Sequence, residues 1–327
     1  MRTIIAATLL VASAASAADL SQSTLRAAAQ KGLALLEQTS PTFIKKGGCN
    51  SCHNQMLPAA AQAYARSRGI KTGPTVAQLP AELSDATMER AIEYATFGAN
   101  SRGYELFAAA MTGTPADARL EAQVYYVKGL QEPEGYWRTG NNRPPLTFDD
   151  FTTTAYSIKA LLAYSPSTER ADTEARVTRA RSWLLEAKPA TTQERAFHLL
   201  GLAWSKASAA ALAKAATGVQ GLQRADGGWS QLASMPSDAF ATGLALWAMS
   251  EGGIPATHPS YQKGLKFLLD TQAKDGTWHV KARSLPVQPY FESGYPYGHD
   301  QWISAAGAAY ATMAIAAAVE PERSARR

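Results

Sequence analysis

The sequence predicts an all-α fold in which six helical hairpins close into a ring, an α6/α6 toroid. Three observations carry this prediction. One turn, with the spacing Q-x-x-(D/E)-G-x-W, occurs three times, and its copies lie at multiples of one interval. Helices with charged residues also alternate with helices rich in alanine and other small residues. An open superhelical solenoid is the alternative architecture.

The repeated turn spans Gln131 to Trp137, Gln223 to Trp229 and Gln272 to Trp278. In each copy the glycine lets the chain turn out of a helix. The glutamine and the acid can bind backbone groups in the turn, and the tryptophan packs back over the helix end. Each copy is therefore expected to end the first helix of a hairpin.

The interval between copies sets the number of hairpins. The last two copies begin 49 residues apart and the first two 92, close to two units. A degenerate copy is therefore expected between them, with a helix ending near Leu185 and Glu186 and the next at 191–204. Counting back 93 residues from Gln131, again close to two units, reaches Gln38, where the Gly-Trp turn is missing and a loop with two cysteines takes its place.

Each hairpin is predicted to place its first, more charged helix in an outer ring and its second, small-residue helix in an inner ring. One domain covers 19–320, with the cysteine loop at 47–54 and a basic tail at 321–327. The hairpins span 21–38 with 55–69, 81–98 with 101–112, 116–131 with 149–164, 170–187 with 191–205, 207–223 with 237–251, and 258–272 with 299–319.

Residues 1–18 have the order of a secretory signal peptide. Arg2 is followed by the apolar run Ile4 to Val11 and then by Ala15-Ser16-Ala17, a small-residue cleavage site. That run is too short to span a bilayer, and no later stretch has about 18 uninterrupted apolar residues. We expect an exported, periplasmic chain without an integral membrane segment. Its net charge of +5, or +4 without Arg2, forms no basic stripe that would indicate nucleic-acid binding.

The loop Cys49-Asn50-Ser51-Cys52-His53 holds the only two cysteines of the chain. C-x-x-C-H is the attachment pattern of a c-type haem. Each thiol can form a thioether with the porphyrin, and the imidazole of His53 can bind the iron. The alternative is a Cys49–Cys52 disulfide or thiol redox pair, but redox C-x-x-C motifs normally accompany a βαβ pattern that is not seen here.

A second axial ligand is sought on the same rim, because ring closure places the long loop 273–298 beside the cysteine loop. His279 and His299 are the candidates there. His299 and Asp300 can instead cap the last helix. His198 is predicted to be a satisfied core residue and His258 to lie in an exposed turn.

Aromatic and basic residues share this predicted rim. The aromatic ones can line a haem edge, or the mouth of a site for an apolar ligand, or simply pack the loop. The basic ones can pair with haem propionates or remain solvated. They are Trp278, Tyr290, Phe291, Tyr295, Tyr297 and Trp302, with Arg138, Arg143, Lys281 and Arg283.

The repeated turn resembles the QW motif of squalene–hopene and oxidosqualene cyclases, and related turns occur in protein prenyltransferase β subunits. The resemblance implies an α6/α6 toroid over most of the mature chain. The loops 143–146 and 288–294 also resemble uncharacterised bacterial proteins that join a CxxCH motif to such a toroid. The zinc of prenyltransferases needs Asp, Cys and His ligands, and no matching Cys or His pair is present.

The cyclase resemblance points to Asp149 and Asp150 as catalytic candidates. Cyclases protonate their substrate with the D-x-D-D motif, and the matching place reads Thr147-Phe148-Asp149-Asp150. Asp149 would be the donor by position, but the first Asp is replaced by Thr. The favoured interpretation is that Asp149 or Asp150 caps the helix that follows. The second α/α domain that closes the cavity in triterpene cyclases is also missing.

Three functions follow as hypotheses. The first is an exported haem-c protein that carries out electron transfer or redox chemistry at the mouth of the ring, with a redox partner protein. The second is a cyclase-like enzyme or a binder of an isoprenoid or other apolar ligand. The third is an interaction scaffold with a Cys49–Cys52 disulfide. The sequence does not specify the substrate.

Overall fold

The computed structural model describes residues 20–47, 52–74, 76, 98–140, 143–146, 149–285 and 289–321, with only the backbone of Ile44, Cys52 and residues 98–101. Within these residues the named elements are all helices, and the isolated β-bridges Gln131–Trp137 and Ser230–Ser237 lie outside any strand. The helices are α1 (Gln22–Gly47), α2 (Leu57–Ser67), α3 (Gly98–Thr112), α4 (Ala118–Gly129), α5 (Asp150–Tyr164), α6 (Arg170–Glu186), α7 (Thr192–Trp204), α8 (Ala209–Gln220), α9 (Ala239–Glu251), α10 (Pro259–Thr271) and α11 (Gln301–Ala317).

Six of these helices form a closed inner ring. In order around the ring, α2 packs on α3, α3 on α5, α5 on α7, α7 on α9, α9 on α11, and α11 again on α2. Small residues permit this close packing: a Cβ added at Gly243 of α9 would lie 2.4 Å from the backbone nitrogen of Ala311 in α11. The predicted toroid is confirmed, and the closed ring excludes the open solenoid.

The remaining helices lie outside this ring and fill the grooves between neighbouring inner helices. Helix α1 packs on α2 and α11, α4 on α3 and α5, α6 on α5 and α7, α8 on α7 and α9, and α10 on α9 and α11. The outer helix predicted at 81–98 falls almost wholly on residues 77–97, outside the described residues, as do the predicted signal peptide and most of the predicted basic tail. No helix in the described part of the chain has the length and hydropathy needed to cross a membrane.

The three Gln-Gly-Trp turns are held by the same hydrogen bonds. Gln272 Nε2 donates to Gly276 O and to Ala28 O of α1, both at 3.0 Å, and Gln131 and Gln223 bond the next outer helix or its first residues in the same way. The indole nitrogen of each tryptophan donates back to the preceding helix, at 2.7–2.9 Å. The turn glycines have φ of +106°, +86° and +89°. The third turn therefore joins hairpin six to α1.

A second repeated pattern, D-x-x-x-(S/T), begins three inner helices. Thr154, Thr242 and Ser304 each accept a hydrogen bond, at 2.8–3.0 Å, from a backbone N–H at or two residues after the preceding tryptophan. The acid four residues earlier holds the same segment: Asp150 accepts from Thr139 N and Asp300 from Ala282 N, at 2.7 and 2.8 Å. Each pair fixes a loop onto the start of an inner helix.

These starts meet on one side of the ring, which we call the front face. Gln193, in the first turn of α7, donates a hydrogen bond from Nε2 to Oδ2 of Asp149, which directly precedes α5, at 2.6 Å. Thr192 Oγ1 donates to Ser230 O before α9 at 2.7 Å. Arg283 Nε donates to Gln231 Oε1 at 2.7 Å. A belt of polar contacts thus links neighbouring hairpins along the front face.

Aromatic side chains fill the centre of the ring. The hydroxyl groups of Tyr156 on α5 and Tyr310 on α11, helices on opposite sides of the ring, lie 2.9 Å apart. Phe107 on α3 and Trp247 on the opposite α9 also approach, with ring centroids 6.0 Å apart. All four side chains are almost completely buried. At the level of these four residues, side chains of the protein fill the centre of the ring.

The first hairpin departs from the prediction. Helix α1 was expected to end at 38 but continues to Gly47, through Pro41, and a π-helical turn, Cys52–Met56, precedes α2. The reason is local: Gln38 has no Gly-Trp turn after it, so nothing ends the helix there. The helix runs through Pro41, and the next stop signal is Gly47, followed by Gly48 in the sequence. The extension carries Phe43 to the front face.

Candidate functional site at the ring seam

His53 lies at the seam where the first hairpin meets the last. It belongs to the π turn before α2 and is 9 % exposed. Phe43 of α1 presents its ring edge-on to the imidazole, with centroids 5.2 Å apart. Trp302, in the first turn of α11, lies on another side at 6.0 Å. The predicted position of the CxxCH histidine, on the rim between hairpins one and six, is confirmed.

Two further aromatic residues complete this cluster. Phe291 contacts Phe43 at 5.0 Å and Trp302 at 5.4 Å between ring centroids. Tyr290 extends the cluster outward, 6.3 Å from Trp302, and is 43 % exposed. We call Phe43, His53, Tyr290, Phe291 and Trp302 the seam cluster. It joins α1, the long loop before α11 and the π turn.

The seam cluster keeps the imidazole of His53 neutral. Burial among aromatic rings removes the water that would solvate an imidazolium, and this lowers the pKa of His53 to about 3. The positive charge of Arg143 lowers the pKa further. Arg143, in the loop of the third hairpin, is therefore near enough for its charge to act on His53. A neutral imidazole nitrogen is the form that binds a metal.

The two cysteines can be placed only in part. Cys49 lies outside the described residues, and Cys52 is described by its backbone, in the π turn beside His53. The donor set of two thiols and a neutral imidazole fits a c-type haem, and so do the apolar walls and the nearby cation Arg143. On these observations the residues present at the seam fit the group.

The surroundings of the two candidates for the second axial ligand, His279 and His299, do not single out either of them. His279 is 54 % exposed; its Nε2 lies 2.8 Å from Asp300 Oδ2 and its ring stacks on Tyr297 at 4.7 Å. His299 is exposed and packs against Tyr290 at 4.3 Å. Both lie on the front face near the seam, and a role as ligand stays a prediction for each.

The predicted cap by His299 and Asp300 is wrong. Asp300 stands at the N-cap of α11 but makes no capping hydrogen bond. Its carboxylate is instead divided between Ala282 N and His279. The D-x-x-x-S pattern with Ser304 explains this, because the acid holds the loop that comes before the helix.

The cyclase-derived candidates, Asp149 and Asp150, have different surroundings. Asp149 caps α5, accepting from Thr152 N at 2.7 Å, as the favoured interpretation predicted. Its other oxygen accepts from Thr152 Oγ1 at 2.9 Å and from Gln193 Nε2 at 2.6 Å. Burial raises the pKa of Asp149 to about 6, although these hydrogen bonds oppose the shift. Asp150 opens α5 and holds Thr139, so its place is that of the repeated acid. A catalytic role for either residue stays a prediction.

The remaining histidines have structural roles. His198 Nε2 lies 2.7 Å from Leu184 O, which confirms the prediction of a satisfied core histidine. His258 Nδ1 accepts from Ser260 N at 3.2 Å and caps α10.

Two of the four basic residues predicted on the rim bind other side chains, and the other two are exposed. Arg138 pairs with Glu132, and Arg283 bonds Gln231. Lys281 and Arg143 are exposed. The positive charge of Arg143 acts on His53.

Phe43 and the polar belt were missed at the sequence level. Phe43 lies beyond the predicted helix end at 38, so the sequence did not predict its contact with His53. A signal was present: Leu36, Phe43 and Gly47 lie at intervals of seven and four, which put them on one helix face. The D-x-x-x-(S/T) pattern was also visible in the sequence.

No protein-family model and no curated protein sequence matches the chain. Solved structures do match it. A protein from Actinoplanes has a TM-score of 0.57 at 17% sequence identity, over 90% of this chain and 99% of that one. The type II terpene cyclase MstE from Scytonema has a TM-score of 0.57 at 13% identity, over 91% and 99%. A variant of MstE in complex with its substrate, geranylgeranyl dihydroxybenzoate, gives 0.55 at 13%, over 90% and 98%.

The chain is therefore an α/α toroid with the fold of type II terpene cyclases. At these identities the likeness shows the fold alone, since one fold hosts many activities.

Proposed function

We propose that this chain is a haem-c protein built on a helical toroid, with Cys49, Cys52 and His53 holding the haem on the front face. The observation that supports the proposal is the setting of His53. A C-x-x-C-H histidine lies buried in an aromatic cluster, kept neutral, with a cation close enough to act on it.

Each seam residue has a role under this proposal. The thiols of Cys49 and Cys52 attach the group, and His53 offers an imidazole nitrogen that carries no proton to be displaced by the metal. Phe43, Phe291 and Trp302 exclude water from that side. A bound haem c supplies reversible one-electron transfer. The site lies on a face, not in a channel, so a redox partner protein can reach it, and an exported location agrees with haem attachment.

The test is a haem spectrum. The full chain is produced with its N-terminal segment in a bacterium that expresses the cytochrome c maturation machinery. We expect a Soret band, a pyridine haemochrome spectrum of c type and a mass increase that survives denaturation. His53→Ala should lose the native axial spectrum, whereas the matched control His198→Ala should keep it.

Absence of covalent haem in the wild-type chain under these conditions would contradict the proposal. A mass lower by two hydrogen atoms than that of the dithiol, with cysteines that resist alkylation until reduced, would instead identify the Cys49–Cys52 disulfide of the scaffold hypothesis.

A second candidate is a binder of an isoprenoid or other apolar ligand, or a cyclase-like enzyme. The structural comparisons favour it more directly than they favour haem, because the neighbouring MstE structure holds a geranylgeranyl substrate. The front face also carries Asp149, a buried acid whose pKa is raised to about 6. The filled ring centre opposes a deep cavity, so a ligand would lie above Tyr156 and Tyr310.

Mass spectrometry of organic extracts from the purified chain tests this candidate. Co-purified lipid, and turnover that is lost in Asp149→Asn but kept in the matched variant Asp238→Asn, would support it. Extracts free of isoprenoid, with no binding of added geranylgeranyl compounds, would remove it.

A further inference from the structure

The indole N–H of Trp302 is an unused hydrogen-bond donor in the seam cluster. Nε1 is buried and has no hydrogen-bond partner among the described residues. The phenylalanines that enclose the indole, Phe43 and Phe291, have no acceptor to offer. By contrast, the tryptophans of the repeated turns, Trp137, Trp229 and Trp278, all donate to a backbone carbonyl.

A buried donor without an acceptor is costly. Leaving an N–H unsatisfied in the interior costs about 1–3 kcal/mol, which a phenylalanine of similar shape would avoid. The site is therefore suited to a bound group that brings an acceptor. The cation Arg143, whose positive charge acts on His53, favours an acceptor with negative charge.

We propose that Trp302 Nε1–H donates a hydrogen bond to a carboxylate of the group held at His53, with Arg143 as the counter-cation. This inference rests on the proposed function, under which the carboxylate is a haem propionate. Trp302 is then a positioning residue: it fixes the edge of the haem and favours the ionised carboxylate.

The proposal predicts opposite effects of one substitution on two forms of the chain. Trp302→Phe keeps the aromatic packing and removes the N–H. In the apo chain, represented by Cys49→Ala/Cys52→Ala, it should leave the thermal unfolding midpoint unchanged or raise it, because an unsatisfied donor disappears. In the holoprotein it should lower the midpoint by roughly a few degrees, because a hydrogen bond to a charged group is lost.

A second readout is electrochemical. A carboxylate that accepts a hydrogen bond has a lowered pKa, so removing the donor should move the acidic inflection in the curve of reduction potential against pH upward, by about one unit. Arg143→Gln should move it in the same direction. Trp302→His keeps a ring N–H and should restore part of the wild-type curve. Tyr290→Phe is the matched control: it removes a hydroxyl from the same cluster that already donates to Glu292, and should leave the inflection in place.

Equal losses of stability in apo and holo chains would overturn the inference, as would an inflection that Trp302→Phe leaves unmoved. If Trp302→Phe accumulates no holoprotein, Arg143→Gln and Trp302→His decide the matter by the same inflection. These failures differ from failure of the proposed function, which is the absence of covalent haem in the wild-type chain.

Discussion

The turn that follows α1 and the turns that follow α4, α8 and α10 occupy equivalent places but are built differently. In the three Gln-Gly-Trp turns the glutamine amide and the tryptophan indole N–H each have a partner within the protein. After α1, the helix runs on to Gly47 and delivers Phe43 to a cluster that contains a neutral histidine and an unsatisfied indole N–H.

On this ring the Gln-Gly-Trp turns contribute to stability, whereas the seam offers a group for binding. The Gln-Gly-Trp turns lock one hairpin to the next through groups that already have partners. At the seam no Gly-Trp turn follows α1 in the sequence, and the indole N–H of Trp302, which has no partner among the described residues, is a group that a bound molecule can use. The starts of the inner helices differ too: α5 and α9 begin on the capping acids Asp149 and Asp238, whereas α2 follows Met56, which makes no side-chain cap.

The largest expected effect comes from breaking the turn that closes the ring. Gly276 has a φ of +89°, and a Cβ there would lie 2.3 Å from Lys31 O of α1. Gly276→Ala should cost roughly 3–5 kcal/mol of unfolding free energy, measured with denaturant, because strain and a backbone collision add. Gly253→Ala is the control, since φ is +86° but nothing lies within 4 Å. It should cost about 1 kcal/mol. Equal costs would mean that the close approach to α1 does not matter.

The glutamine of the same turn should have an intermediate effect. Gln272→Ala leaves Gly276 O and Ala28 O without their donor and should cost about 2 kcal/mol. Gln38 is its counterpart by spacing in the first hairpin, but it is exposed on α1. Gln38→Ala should change the free energy of unfolding by less than about 0.5 kcal/mol. A large effect of Gln38→Ala would show that the first hairpin does retain part of the lock.

The smallest effect is a pH dependence that belongs to the ordinary hairpins. Burial raises the pKa of both Asp149 and Asp238 to about 6, above the ordinary value of 3.8. Each therefore stabilises the fold below about pH 4, and this contribution is lost as pH rises through 6.

Between pH 5 and pH 8 the loss is about 1.5 kcal/mol for one carboxyl. Asp149→Asn should remove its share of that slope in denaturant unfolding, and the exposed control Asp270→Asn should not. An unchanged slope in Asp149→Asn would show that another group titrates.

The fold was predictable because its repeated turn acts locally. A glycine at positive φ, a glutamine that bonds the backbone and a tryptophan that covers a helix end have the same effect wherever they occur. Their spacing then counts the hairpins. The error in α1 arose where that local signal stops, since Pro41 was not enough to end the helix.

The site was predictable in position but not in composition. Topology alone brings hairpin six beside hairpin one, and this placed His53 near the loop before α11. Phe43 and the role of Asp300 depended on how far a helix runs and on which loop an acid reaches. Both depend on tertiary contacts, which the residue spacing around His53 or His299 does not specify.

The pairing of helices in each hairpin has an electrical consequence. The outer helix ends and the inner helix begins at the turn that joins them, so the negative end of one helix dipole lies beside the positive end of the other. The two dipoles largely cancel, and the potential on the front face is therefore set by its charged side chains. At the seam the cation whose charge acts on His53 is Arg143.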